Sequence, residues 1–280
     1  MGNSGSRENR MRAYEIPWKL HIPAKKYTIL RVDGRNFHTV TRNMSKPFDE
    51  PFMTGMDWVG QFLCEEIQGA QFAYIQSDEV SVLITGFGSY AEQWFGGSVA
   101  KMISISAATA TMGWLGYMHH HPAVFDSRVF TVPDRHEAIN YFLWRQADCH
   151  RNAISMAAEA HFPSKQLLHV KVPQRREMLE AAGIDYDQYP QGARLGRVVT
   201  KQSYPDTVTY THRKTGEQHS ADVTRTRWEV HPAPWFDWDE AGFLETHTPH
   251  REGVLDGFTH DRPASQTDTP EPPDHTESSG

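Results

Sequence analysis

The chain has 280 residues, 38% of them hydrophobic, which is enough to bury a sizeable core in one large or two modest domains. Charged residues make up 22%, which excludes wholesale disorder, and no apolar run of about 18 residues offers a spanning helix. The net charge of −7 lies mostly in residues 246–280, with seven acidic and two basic side chains, so a near-neutral body neither demands nor forbids an RNA partner. The polar start lacks the apolar stretch of a secretory signal, and Cys64 and Cys149 cannot form a disulfide framework, so a reducing cytoplasm is expected.

Residues 1–12 read as a frayed terminus. Their start also fits an acylation pattern with Gly2 and Ser6, but a flexible end is the stronger reading. Residues 27–32 (YTILRV) predict a buried strand ending at Asp33-Gly34. Over 51–68, Phe52, Met56, Val59, Leu63 and Ile67 recur at three and four, the pattern of an amphipathic helix. Residues 71–75 and 80–84 predict a hairpin with Gln76-Ser77-Asp78-Glu79 at its tip. A helix is expected over about 90–117, then a strand over 123–132 interrupted at Asp126-Ser127-Arg128. Pro133 is expected to open a long helix to about Glu159. A short helix is expected within 164–182. Residues 194–200, 206–213 and 220–230 lean to strand, with Lys214-Thr215-Gly216-Glu217 as a turn, and the chain from 246 reads as a disordered acidic tail. Strands linked by a hairpin and interleaved with helices predict an α+β fold, an antiparallel sheet with helices on one face. The split β-α-β, ferredoxin-like unit is its simplest form. The expected division is an N-terminal extension (1–24), a catalytic part (25–132), a helical and β region completing it (133–245), and the tail (246–280).

Two carboxylates stand out by position. Asp33 lies where a buried strand meets a glycine, and Asp78 lies at a hairpin tip. If their strands are neighbours, both acids emerge at one edge of the sheet, where a magnesium ion would relieve their repulsion and bring phosphates with it. The alternative is a turn aspartate bonding its own backbone. The amides after Asp33 form a candidate anion nest, with Gly34 allowing close approach and Arg35 and His38 adding charge or hydrogen bonds; a solvated loop is the alternative.

Other clusters point less clearly to chemistry. Adjacent His119, His120 and His121 lack zinc-ligand spacing and read as a solvated helix end. In Asp148-Cys149-His150, neighbours on a helix do not face each other, which argues against a thiol nucleophile. Trp228, Trp235, Phe236 and Trp238 read as core or oligomer contacts before base-stacking groups. Arg175, Arg176, Arg194, Arg197 and Lys201 form a basic stretch that either follows an RNA backbone or is a solvated face.

Six segments then occur together: RVDGRNFH at 31–38, KPFD at 46–49, QSDE at 76–79, WFGG at 94–97, FDSRV at 125–129 and WRQADCH at 144–150. In order and combination they resemble the tRNA-His guanylyltransferase family and its wider group of 3′-to-5′ polymerases, over about residues 27–152. The resemblance implies a polymerase palm-like fold and addition of nucleotides to the 5′ end of tRNA, with two Mg²⁺ ions and with GTP and ATP as substrates. It implies Asp33, Asp78 and the Gly34 carbonyl as metal ligands. It implies Asp33, Gly34, Arg35, Asn36, Phe37, His38, Ser77 and Asp78 along the triphosphate, and Glu79, Lys46 and Asp49 as further residues needed for activity. Arg128, His150 and Asn152 would contact substrate RNA, and the assembly would be a homotetramer with no membrane partner. Where tRNA-His-dedicated members carry a His-Ile-Asn-Asn run, this chain has His150-Arg151-Asn152-Ala153. Arg175-Arg176-Glu177 stands near a Lys-Asn-Glu position. These departures favour template-directed repair of truncated 5′ ends over strict tRNA-His guanylylation. A non-catalytic nucleotide- or tRNA-binding protein and a nucleotidyl cyclase are the competing classes. The intact Asp33, Asp78 and Glu79 argue against the first, and KPFD with WRQADCH against the second.

Overall fold

The computed structural model describes residues 4–88, 92–211, 213, 216–239 and 241–251. Six strands, β1 (Tyr27–Gly34), β2 (Ala70–Gln76), β3 (Glu79–Ile84), β4 (Phe125–Val132), β5 (Arg197–Thr211) and β6 (Gln218–Pro232), form one antiparallel sheet in the order β4-β1-β3-β2-β5-β6. Side chains alternate across it. Leu30, Val32, Ile75, Val80, Val82 and Val199 face one core, while Ile29, Phe72, Tyr74, Leu83 and Val198 face another.

The nine described helices are α1 (Ser4–Glu15), α2 (Phe37–Val40), α3 (Glu50–Glu66), α4 (Val99–Tyr117), α5 (Arg135–His161), α6 (Ser164–Leu167), α7 (Val172–Ala181), α8 (Gln191–Arg194) and α9 (Phe243–His247). The apolar stripe Met56, Val59 and Leu63 of α3 packs with Met102, Ala110 and Trp114 of α4 on the first face. Ala138, Ile139, Phe142 and Cys149 of α5 cover the second. The expected α+β, palm-like antiparallel sheet is present, and its helices cover both faces. This explains why 27–32 and 80–84 read as nearly continuous apolar runs: neither side of those strands meets water. Beyond the sheet, Ala153, Ile154, Ala157 and Ala158 of α5 form a third core with Leu167, Leu179 and Tyr186.

Several boundaries differ from expectation. Residues 125–132 form an uninterrupted strand, because Ser127 and Arg128 pair in register with Val32 and Arg31 of β1. The segment before Val99 is a short 3-10 turn, Trp94–Gly97, with the α-helix starting after Ser98. Asp134 caps α5, accepting from the Glu137 amide over 2.9 Å, so Pro133 precedes the helix instead of opening it. The two predicted β stretches 194–200 and 206–213 are one strand, β5, paired along its length with β6. The chain is also ordered past 246. α9 runs to His247, Thr248 is buried, its carbonyl accepts from Arg135 Nε over 2.8 Å, and the Pro249 carbonyl accepts from Tyr27 over 2.7 Å. Arg135 also bonds the Glu245 carboxylate, so α9 is held to the end of α5 by a shielded ion pair. The remaining tail, Gly2 and the tip Lys214-Thr215 lie outside the described residues.

Candidate active site

The two sequence-selected aspartates meet because β1 and β3 are neighbours. Asp33 is the register partner of Glu79, and the Gly34 amide donates to the Asp78 carbonyl over 3.0 Å. Ser77 and Asp78 connect β2 to β3 with Ser77 at φ 46°, a left-handed conformation uncommon for a non-glycine residue. After β1, Asn36 turns the chain at φ 58° into α2, and the Arg35 amide donates to the Val124 carbonyl over 2.9 Å. A Cβ on Gly34 would lie 2.2 Å from the Phe37 ring, so the close return of Phe37 under the strand end requires glycine.

This corner opens into a cavity of about 710 Å³. Its wall includes Asp33, Gly34, Asn36, Phe37 and His38 from the β1 end, and Ser77, Asp78 and Glu79 from the hairpin. Lys46 and Asp49 come from the loop before α3, and Asn152 from α5. Three expected residues are not on the wall. Arg35 is exposed elsewhere. Arg128 reaches Asp126 at 3.1 Å and Asp33 at 3.9 Å from the neighbouring strand. His150 is buried behind α5 between Tyr186 and Trp235, with an unpaired Nδ1. Burial, assisted by the nearby Arg176 and Arg194 charges, lowers its pKa to about 4.

Not every wall residue offers free chemistry. Asp49 caps α3, accepting from the Phe52 amide (2.8 Å) and the Ser45 amide (2.9 Å), and Lys46 Nζ donates to the Thr41 carbonyl over 3.3 Å. Glu79 is held by Arg145, whose Nε and Nη2 donate to its two oxygens over 2.8 and 2.9 Å; Arg31 lies 3.6 Å away. Burial raises the Glu79 pKa, and the Arg145 and Arg31 charges oppose that rise. Asp78 differs: burial raises its pKa, the Asp33 carboxylate adds to the rise, and its own backbone amide and the Ser77 hydroxyl oppose it. Asp78 therefore has a negative neighbour and no cationic one among the groups that set its pKa.

Residue-by-residue reading missed Arg145 and Asp148, which also line the cavity, with Arg145 Nη2 3.3 Å from Asp148. Both lie in the WRQADCH segment, and their three-residue spacing on a helix is the signal that pairs them. With Asn152, Ser155, Met156 and Glu159 they form one stripe of α5 along the cavity. Cys149 shares that wall, but burial pushes its thiol up to about 11, so it is no nucleophile. The basic stretch is committed internally. Arg175 pairs with Glu159, Arg176 and Arg194 with Asp187, Arg197 with Asp57, and Lys201 lies over Trp228.

Among the described residues no cluster of three His, Cys, Asp or Glu side chains forms a ready cation cage. Asp33 and Asp78 are instead two hard oxygen donors, both part-exposed, in mutual repulsion beside a cavity of nucleotide size. That donor set fits magnesium, which keeps water and phosphate oxygens in much of its shell.

Three comparisons accord with this geometry. A sequence model of the tRNA-His guanylyltransferase family matches residues 8–133. The structure of a bacterial tRNA(His) guanylyltransferase-like protein in complex with ATP is similar at a TM-score of 0.75 and 30% identity, covering 86% of this chain and 98% of that one. A GTP complex of such a bacterial protein gives 0.68 at 30% identity, covering 82% and 93%. The probable tRNA(His) guanylyltransferase of Mus musculus is 27% identical over 226 residues, which is 72% of this chain and 74% of that protein. The tRNA(His) guanylyltransferase 2 of Arabidopsis thaliana is 24% identical over 231 residues, which is 74% of this chain and 43% of that protein.

Proposed function

Because the chain belongs to the tRNA(His) guanylyltransferase family of nucleotidyltransferases, we propose that it extends the 5′ end of tRNA in the 3′-to-5′ direction. A 5′-monophosphate first attacks ATP and releases pyrophosphate, leaving an adenylylated end. The 3′-hydroxyl of GTP then attacks the 5′ phosphorus of the RNA and displaces AMP; a 5′-triphosphate end loses pyrophosphate without prior activation. The observation that carries this reading is the convergence of Asp33 and Asp78 on one cavity wall, where the Gly34 amide ties the two segments together.

In this reading the cavity holds the nucleoside triphosphate, its phosphates near the backbone of Asn36, Phe37 and His38 and beside Ser77. Asp33, Asp78 and the Gly34 carbonyl would hold two magnesium ions, which when bound neutralise phosphate charge and stabilise the entering and leaving oxygens. Positioning and charge account for most phosphoryl-transfer catalysis, so no covalent nucleophile is needed, in line with the inert Cys149 thiol. Lys46, on the exposed lip, supplies positive charge toward the phosphates. Arg145 and Glu79 fix the hairpin that carries Asp78.

The departures at His150-Arg151-Asn152-Ala153 and Arg175-Arg176-Glu177 favour repair of truncated 5′ ends over a reaction confined to tRNA-His. Asn152 and Arg151 both bond Asp148, and Arg175 and Arg176 pair with acids of their own chain. Homotetramer formation and a cytoplasmic location belong to this proposal. No described helix is long and apolar enough to cross a membrane.

The test is incorporation of labelled GTP with magnesium, ATP and either tRNA-His or a 5′-truncated non-His tRNA. Incorporation by the parent chain, lost in Asp33→Asn and Asp78→Asn variants that stay folded, supports the reading. Equal incorporation by either variant overturns the ligand assignment. RNA binding without incorporation favours the non-catalytic alternative, in which the palm-like fold only holds nucleotide and tRNA.

A further inference from the structure

A reaction at an RNA 5′ end brings two substrates to one pair of carboxylates, and the cavity accounts for one. Resting on that assignment, we infer that Trp144 and Arg128, just outside the cavity, form a platform on which the terminal base of the substrate RNA stacks.

The platform follows from the register of β1 and β4. Asp33, Arg31 and Ile29 pair with Asp126, Arg128 and Phe130, so all six side chains lie on the sheet face covered by α5. Arg128 is half exposed and lies 3.9 Å from Asp33, on the β4 side, away from the hairpin that carries Asp78. From α5, the Tyr141 ring meets Phe130 at 5.7 Å and Trp144 at 5.8 Å, which extends an aromatic ledge outward from the strands. Trp144 is 53% exposed, and neither it nor Arg128 lines the cavity. Arg145 forms the partition: its guanidinium bonds Glu79 and Asp148 on the cavity wall and lies 4.6 Å over the Trp144 ring.

The other exposed tryptophans have different settings. Trp58 stacks on Tyr117, Trp238 stacks on His136, and Trp18 stands 79% exposed in the short turn Ile16–Trp18. Trp144 is braced by a buried cation and an edge-on tyrosine while half its surface stays open, a ring held rigid before any ligand arrives. An indole of this kind accepts any base, because stacking needs only a π-face. Arg128 now shares its charge with Asp126, at 3.1 Å in an exposed pair. A strand phosphate would compete for that cation at little cost, since exposed ion pairs are weak. The base would then rest on Trp144 and its 5′ phosphate would be directed along Arg128 toward Asp33.

The experiment uses the full chain and a tRNA transcript with 2-aminopurine as its first nucleotide. The parent protein quenches the probe, and Trp144→Ala abolishes the quench, weakens RNA affinity by anisotropy about tenfold and raises the KM for RNA while the KM for GTP stays unchanged. Trp144→Phe restores most of the quench and affinity. Arg128→Gln weakens RNA binding and flattens its salt dependence. An unchanged quench and RNA affinity in Trp144→Ala overturn the platform. So does a loss of GTP and RNA binding together that Trp144→Phe does not rescue, since that means Trp144 merely supports Arg145. Trp144-dependent RNA binding without GTP incorporation leaves the platform standing and removes the enzymatic reading; incorporation indifferent to Trp144 does the reverse.

Discussion

The Gly34 amide donates to the Asp78 carbonyl over 3.0 Å, so the residue following one aspartate is bonded to the backbone of the other. The spacing of the acid pair is therefore set by main chain. The main chain supplies no cation, and the part-buried Asp78 carboxylate has Asp33 as its charged neighbour while Arg128 approaches Asp33.

That residual repulsion predicts an inverse relation between stability and activity. In metal-free buffer at neutral pH, Asp78→Asn should raise Tm, because a part-buried carboxylate beside Asp33 becomes a neutral amide. Magnesium should raise the Tm of the parent protein and not that of the variant. Transfer should fall by about a hundredfold or more in the variant, given the several kcal/mol that metal ligation supplies to phosphoryl chemistry. Thermal melts with and without magnesium check the first two outcomes; a variant less stable than the parent would contradict the account of the pair.

Arg145 should be among the costliest single truncations. Removing it leaves Glu79 buried with only Arg31 near, and breaking one side of a shielded ion pair typically costs about 3–5 kcal/mol. Arg145→Ala should show that loss in urea denaturation. The double change Arg145→Met with Glu79→Leu should cost markedly less, since it removes both charges together. A double variant as unstable as the single one would show that the pair does more than neutralise itself.

His150 predicts an acid-side stability slope. Its folded pKa is about 4, whereas an unfolded histidine titrates near 6.5. Above about 6.5 the ring is neutral in both states and carries no penalty. As pH falls from there toward 4, the unfolded chain takes up a proton that the folded one refuses, and stability falls by on the order of 3 kcal/mol. His150→Asn should flatten this part of the curve, measured as urea stability from pH 7 to pH 4.5. The comparison of variant with parent isolates His150, because the carboxylates that titrate in the same range are common to both.

Gly34→Ala should impair the site more than the fold. The added methyl would press on the Phe37 ring, which is already packed against Trp114 at 5.0 Å and Phe125 at 5.3 Å and has no free direction. Overpacking of this kind costs roughly 1–3 kcal/mol. The yielding part would be the turn at Asn36, where Asn36, Phe37 and His38 line the cavity. Weakened nucleotide binding by calorimetry in a folded variant is the expected result.

Local periodicity is enough to mark these strands and helices, and to place the two aspartates at strand ends. The stripe Met56, Val59, Leu63 and the apolar run through 27–32 depend only on neighbouring residues, so they are legible in the chain alone. The continuity of β4 was not visible: Asp126-Ser127-Arg128 looks like a break until β1 supplies its register partners. The basic stretch changes meaning for the same reason, since Asp57, Glu159, Asp187 and the ring of Trp228 meet those cations only after folding. Arg145 reaches Glu79 across 66 residues of chain because α5 docks on the sheet face to which Glu79 points, and His150 is buried against Tyr186 and Trp235. Local pattern carries the choice of secondary structure. Which charge meets which, and which face keeps its water, is decided by how helices lie across the sheet.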